Sequence, residues 1–571
     1  MSTPFELPIY YLENKEPLDE NIKTDLELLE VNQDSESRKS LLQTVMNPQS
    51  KIGNQYLHKL CEYYTDDKSF LKETQSLISA WESDKDDLVN DDKVELYDKF
   101  SNLWETIKAD ETFIDRYYYV DVDFFKFLNN SSPFLQLLSL YNLISPILSI
   151  ILPIILLIVP FFMLKFNGVK ITLESYYKIL TNIFSKHALG NIFSLFGDIS
   201  WEKRAYALMS VAFYLFSIYQ NSLVCYRFYN NFYSIHNDLF LLKTYLETTI
   251  KNINKIELAC VNNITYMQFI ESLQIHKNRC IELKNKLDGI NPFNIYELRK
   301  KSQEIGYVMK YFYEIHTNAD IEETIEFSFG FNAYIEHLDG LHYLHSEKTI
   351  NKCRFGKKLK MENAKYPYLL FNDSISNDIH LKKNIIITGP NASGKTTILK
   401  TTLFNLFFSQ TCGFGFYRKA IINPYNKIHC YLNIPDTSGR DSLFQAEARR
   451  CKEIIDSLED NKRHFCIFDE LFSGTNPNEA CASSFGFIKY LIKSKNIDFI
   501  LTTHLLDLCK NLDSCIENKY MNVIQKNDFD FEYTYKLSKG MSTIKGGLKV
   551  LCDLSFPKSI LEISNIYLKS I

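Results

Sequence analysis

The segment IIITGPNASGKTTILK, residues 385–400, constrains this chain more than any other. A β-branched run turns at Gly389 and becomes helical from Lys395, and strand, loop and helix in that order are what a phosphate-binding loop needs. Gly389, Gly394, Lys395 and Thr396 fit GxxxxGKT without a mismatch. Glycines let backbone N–H groups converge on phosphate oxygens, and the helix that follows adds the positive end of its dipole. Gly389, Pro390, Asn391, Ala392, Ser393, Gly394, Lys395, Thr396 and Thr397 are therefore the expected nucleotide contacts. Lys395 is placed to neutralise β- and γ-phosphates, and Thr396 to offer its hydroxyl to Mg²⁺. The expected ligand is ATP with Mg²⁺, on an α/β domain.

Two later strands complete that expectation. HFCIFDE, residues 464–470, is an apolar run ending in two acids, where open α/β sheets carry their chemistry. Asp469 is expected to hold the metal, and Glu470 to orient or deprotonate the water that attacks the γ-phosphate. DFILTTH, residues 498–504, ends in His504, which would face the same phosphate. The expected catalytic residues are Glu470, His504 and Lys395, and the expected metal ligands Thr396 and Asp469.

With 571 residues the chain exceeds what one compact core supports. Sixty-four Lys+Arg against 69 Asp+Glu give a net charge of −5, so any nucleic-acid contact must be local. The 13 cysteines stand singly, without CxxC pairs, and read as reduced thiols rather than a zinc site. The first thirty residues show no secretory signal. Glu13 to Glu36 carries nine acids against Lys15 and Lys23, and reads as a solvated acidic helical face. Lys348, Lys352, Arg354, Lys357, Lys358, Lys360 and Lys365 oppose Glu362 alone; this segment reads first as a solvated loop, and second as a contact for phosphates of DNA or lipid headgroups.

Between Lys126 and Lys165 lie 38 residues without a charge, and a second uncharged run spans Ala205–Tyr226. A bilayer crossing needs about 20 apolar residues. The membrane segments are drawn at 134–164 and, more weakly, 205–226, because the second run carries Ser, Gln and Asn. Pro146, Pro153 and Pro160 fall seven apart and should kink the first helix, which leaves a bent or re-entrant hairpin open. Two crossings would put both ends on the cytosolic side, yet the intervening Lys165, Lys170, Lys178, Lys186, Lys203 and Arg204 favour the cytosol too, so the topology stays open. The alternative is a pair of helices buried in a large helical core. From Phe228 to His345 apolar residues recur three and four apart, as in a helical stalk. The expected domains are an acidic helical region 1–125, a hydrophobic hairpin 126–227, a helical lever 228–345 and an ATPase domain 346–571.

Several motifs together resemble the MutS mismatch-repair ATPases. The phosphate loop reads GPN before its variable pair, and YPYLLFNDSISNDIHL resembles the family segment before that strand, with Tyr366 where histidine is usual. GRDSLFQAE is similar to the family signature through Gly439, Ser442, Phe444 and Glu447, departing at Asp441; DELFSGTN, TTHLL and GMSTIKGGLKVLCDLSFPKSIL follow in family order. The matches run from about Glu336 to the C-terminus. The resemblance implies a head-to-tail homodimer in which Ser442 of one subunit contacts, in trans, the γ-phosphate held by Lys395 of the other. ATP then becomes an interface ligand. The Phe-x-Glu wedge of mismatch sensors is not found; Phe5 and Glu6 are adjacent instead. The uncharged stretches resemble a membrane-anchored branch of MutS-like proteins.

The leading expectation is a dimeric ATPase, membrane-associated with its ATPase domain cytosolic, acting on DNA without sensing mismatches. The alternative is a membrane-anchored remodelling ATPase with no direct DNA role. Two crossings and the lack of an LSGGQ-like sequence before Asp469 speak against transport, and intact Glu470 and His504 against a passive scaffold.

Overall fold

A computed structural model describes residues 5–31, 38–82, 87–166, 174, 176–178, 182, 201–288, 290, 298–369, 374–432, 442–512, 514, 516–526, 531–542, 544 and 546–570. The strands among them are, in chain order, β1 (Lys15–Pro17), β2 (Tyr63–Thr65), β3 (Asn351–Phe355), β4 (Lys360–Ala364), β5 (Asn377–His380), β6 (Ile385–Thr388), β7 (Phe414–Gly415), β8 (Lys419–Ile422), β9 (Lys427–Tyr431), β10 (His464–Asp469), β11 (Ile497–Thr502), β12 (Glu517–Gln525) and β13 (Phe531–Lys539). They make a six-stranded sheet in the order β13-β12-β6-β11-β10-β9, a five-stranded sheet β5-β4-β8-β3-β7, and the pair β1-β2. The chain forms two compact units: Met1–Tyr97 with Lys251–Lys277 and Glu326–Ile571, and Asp98–Ile250 with Asn278–Ile325. These units interleave along the sequence and do not follow the boundaries drawn from composition at 125, 227 and 345.

In the first unit, β12, β6, β11, β10 and β9 run parallel, with β13 antiparallel at the edge. Ile385, Ile386, Ile387 and Thr388 are all buried, the pattern of a strand covered on both faces. The Lys395–Cys412 helix is buried nearly all round, because N-terminal residues cover part of it. Gln75 Nε2 donates to Gly413 O (2.6 Å) and Cys353 O (2.9 Å), and Gln410 Nε2 to Thr65 O (3.1 Å). Truncating such a buried amide would leave carbonyls unsatisfied, at about 1–3 kcal/mol.

The acidic N-terminal run is not simply a solvated face. Glu16 pairs with Lys427 (2.5 Å) and Lys462 (3.4 Å), Asp19 with Arg450 (3.4 Å), and Asp25 is buried. Phe5 is 1% exposed and packs edge-on against Phe269, Phe327 and Phe331. The basic segment expected to be a loop is instead β3, a turn and β4.

The second unit is helical. Its long elements are Ser132–Phe166, which runs unbroken through Pro146, Pro153 and Pro160, and most of Trp201–Ala259. These two are joined by polar contacts: Tyr214 Oη to Ser149 O (2.9 Å), Asn221 Nδ2 to Ser149 Oγ (2.5 Å) and Cys225 Sγ to Leu143 O (3.3 Å). Ser139, Asn142 and Ser145 are buried on one stripe, while Leu137, Tyr141, Ile147, Phe213 and Phe216 are well over half exposed or close to it. The expected alternative, burial of both helices inside a large core, does not hold for these residues. Ser132–Ile151 and Arg204–Ala259 are long and apolar enough to cross a membrane. Lys170 and Lys186 of the intervening stretch lie outside the described residues.

Candidate nucleotide site

Three neighbouring parallel strands deliver the site. β6, β11 and β10 are adjacent, with Thr502 opposite both Ile387 and Asp469, so their C-terminal ends form one edge. The phosphate loop leaves β6, the acids close β10, and His504 follows β11. Gly394 sits at φ 94°, a left-handed backbone that favours glycine, immediately before the helix begins at Lys395. A Cβ on Gly389 would come within 2.9 Å of Ser393 Oγ and 3.1 Å of Met521 Cβ. The loop therefore needs glycine at both ends.

Lys395 is 5% exposed. Its ammonium donates to Gly389 O (3.1 Å) and Pro390 O (3.4 Å) and lies 3.4 Å from Glu470 Oε1. Burial pulls its pKa down, and Glu470 and Asp469 pull it back. His504 Nε2 stands 2.9 Å from both Lys395 Nζ and Glu470 Oε1, so its tautomer decides which it bonds. The hydrogen bond from His504, with Lys395 helping and burial opposing, holds the Glu470 carboxyl below its ordinary value. Glu470 takes a left-handed backbone (φ 50°), as does Phe472 (φ 58°), a conformation that costs about 1–2 kcal/mol in a residue with a Cβ.

Thr396 Oγ1 donates to Asp469 Oδ2 at 2.6 Å, and Thr502 Oγ1 donates to Asp469 Oδ1. A hydroxyl and a carboxylate in contact at a helix N-terminus suit a hard cation beside phosphates. Ser393 Oγ is buried within the loop without a hydrogen-bond partner, a polar group that a phosphate oxygen would satisfy. The residues present thus fit ATP and Mg²⁺. Thr397 lies in the first turn of the helix, where its carbonyl accepts from Thr401 Oγ1. Ala392 is left-handed (φ 59°), and Asn391 O accepts from Tyr533 Oη at 3.1 Å.

Ser442 is exposed and caps the Leu443–Asp456 helix, with Gln445 N donating to its Oγ (3.3 Å) and its own N–H donating to Gln445 Oε1 (3.0 Å). Gly439 and Asp441 lie outside the described residues. Glu447, on the same helix, is buried. It accepts from Ser473 N (3.0 Å), Ser473 Oγ (2.8 Å) and Gly474 N (3.2 Å), tying the signature helix to the turn after Glu470. Sequence reading missed that role, although the spacing of an acid in one motif and a Ser-Gly turn in the next offered a signal. It also missed Tyr535, whose ring lies 3.3 Å from where a Gly394 Cβ would be, and Gly546, whose Cβ would meet Pro390 at 2.7 Å. Both come from the closing third of the sheet and its tail. Tyr366 is partly buried beside Tyr368.

The family described as MutS domain V matches residues 385–571. The chain is 26% identical over 301 residues to "Endonuclease MutS2" of Caldicellulosiruptor saccharolyticus, covering 51% of this chain and 36% of that protein. It is 27% identical over 229 residues to "Endonuclease MutS2" of Streptococcus uberis, covering 39% and 28%. With "MutS protein homolog 4" of Mus musculus it shares 31% identity over 186 residues, 31% of this chain and 19% of that one. The matched stretch therefore spans less than two fifths of each of these relatives.

Proposed function

We propose, from the premise that the chain belongs to the MutS family through the domain V it carries, that it is an ATP-hydrolysing homodimer acting on DNA without direct mismatch recognition. The observation that carries this reading is the convergence of Lys395, Thr396, Asp469, Glu470 and His504 on one sheet edge. In it, Lys395 binds the β- and γ-phosphates, Glu470 accepts the proton of the attacking water, and His504 orients Glu470. Thr396 and Asp469 would hold Mg²⁺, which neutralises the phosphate oxygens when bound. Ser442, exposed at a helix N-terminus, reaches the γ-phosphate of a second copy, so the triphosphate joins two subunits. Phe5 itself is packed among core aromatics and is not free to insert into a duplex.

A second element rests on its own observation, the exposed apolar sleeve of Ser132–Phe166 and residues 201–226. It supports membrane anchorage with the ATPase on the cytosolic side, and, without DNA contact, a remodelling ATPase. Glu470→Gln tests the shared-site reading. Turnover should fall by about 10²–10³-fold while ATP binding persists, and light scattering should find a dimer with ATP. A monomer under those conditions would refute the reading.

A further inference from the structure

We propose that the outer face of the five-stranded sheet is a docking surface for the phosphate backbone of duplex DNA, separate from the nucleotide site. This rests on the DNA reading above and adds where the polymer is held. On β3, Cys353 points into the core and Lys352 and Arg354 point out; on β8, Ala420 is buried and Lys419 is exposed. The register places Arg354 opposite Ile421, Ile421 opposite Lys360, and Lys360 opposite His380, one row across four strands. Adjacent strands are about 4.8 Å apart, so that row spans about 14 Å. Exposed Lys357 and Lys382 extend the face beyond the strand ends.

The charges on this face are unequally matched. Glu362 is shared by Lys360 (2.6 Å) and Arg418 (2.8 Å), and Asp378 accepts from Asn363 N (2.8 Å). No ion pair involves Lys352, Arg354, Lys357, Lys382 or Lys419 among the described residues. A chain with a net charge of −5 keeps these five cations together, with Glu362 opposite Lys419 in the register and Asp378 as the acids set among them. Lys and Arg spread over a surface recognise phosphates through charge and counterion release, independently of sequence. A surface that enters a lipid interface interleaves its cations with large apolar groups, whereas Ile421 is the one exposed large aliphatic on these strands. The composition favours a polyanion in water.

The test uses the full chain, with Lys352→Gln, Arg354→Gln and Lys419→Gln combined, a fluorescein-labelled duplex, and anisotropy titrations from about 50 to 200 mM salt. Affinity should fall about tenfold or more, and the slope of log affinity against log salt by about 0.9 per contact removed. ATP affinity should stay unchanged, and a Lys352→Arg, Lys419→Arg variant should retain duplex binding. Unchanged duplex affinity and slope in the triple variant overturn the proposal. So does a loss confined to phosphatidylserine vesicles, which would make this a lipid surface. If the unmodified chain fails to bind duplex at every salt concentration, the DNA reading falls and this inference with it.

Discussion

The nucleotide edge and the helical stretches 132–166 and 201–226 use apolar side chains in opposite directions. Around the nucleotide edge, Ile385, Ile387, Phe465 and Ile467 are buried in the core. In the Ser132–Phe166 and Trp201–Ala259 helices, Ser139, Asn142 and Ser145 point inward while Ile147 and Phe213, 54% and 68% exposed, point out. Equal apolar content therefore carries no information about fold until its direction is known. An inward stripe builds a core in water, whereas an outward sleeve over a polar seam suits a medium that is itself apolar.

The strongest way to break this contrast is Lys395→Ala. Losing a buried charge that faces Glu470 should cost ATP affinity about a hundredfold or more, measured by equilibrium titration, while membrane partition stays as it was. An unchanged titration would remove the nucleotide assignment. The mirror experiment places Ile147→Lys and Phe213→Lys in the sleeve. Facing lipid, each costs about 2.5–3.5 kcal/mol; facing water, each is within about 0.5 kcal/mol of neutral. The expected result is release from membranes on carbonate extraction with ATP affinity preserved.

A smaller effect concerns acid. His429 Nε2 and His464 Nδ1 are 3.0 Å apart between β9 and β10, with Asp19, Arg450 and Lys427 nearby. Burial first, then His464, push the His429 imidazole down to about 3. Below about pH 6.5 the unfolded chain takes up a proton that the folded one refuses, so stability falls as pH drops from there toward 3. The loss should be about 2 kcal/mol between pH 7.5 and 5, read by denaturant unfolding of the nucleotide unit, and His429→Gln should flatten it. An equal pH slope in that variant would refute the account.

Smallest is Asp19→Asn. Burial raises this carboxyl, but Asn21 N–H and the Arg450 guanidinium outweigh it and leave it below its ordinary value. Its contribution is present above the unfolded aspartate pKa and is lost as pH falls through the lowered folded value. The pair is partly exposed, so the change should stay below about 1 kcal/mol at neutral pH, in the same unfolding assay. A larger loss would mean that the N-terminal segment depends on this one pair.

Much of the site was legible because its chemistry is local. Asp469, Glu470 and His504 sit at or just past strand ends and Lys395 and Thr396 open the helix after β6, and an apolar run followed by a turn or an acid marks such places in one dimension. The α/β class of the C-terminal domain followed from the same signal. What escaped was long-range. Glu16 meets Lys427 and Gln75 meets Gly413 across more than three hundred residues, and neither acids nor an amide announce a distant partner. The Lys348–Lys365 segment misled because its strands are short and charged on the outer face, so polarity masked the alternation at Cys353, Met361 and Ala364.

The N-terminal jacket over the Lys395–Cys412 helix has a practical corollary. Cutting before residue 346 would strip Tyr64, Phe70 and Leu71 from a shared core, leaving greasy surface and orphaned carbonyls where a tidy edge was drawn. The domain that looks portable on paper shares its core with the chain that precedes it.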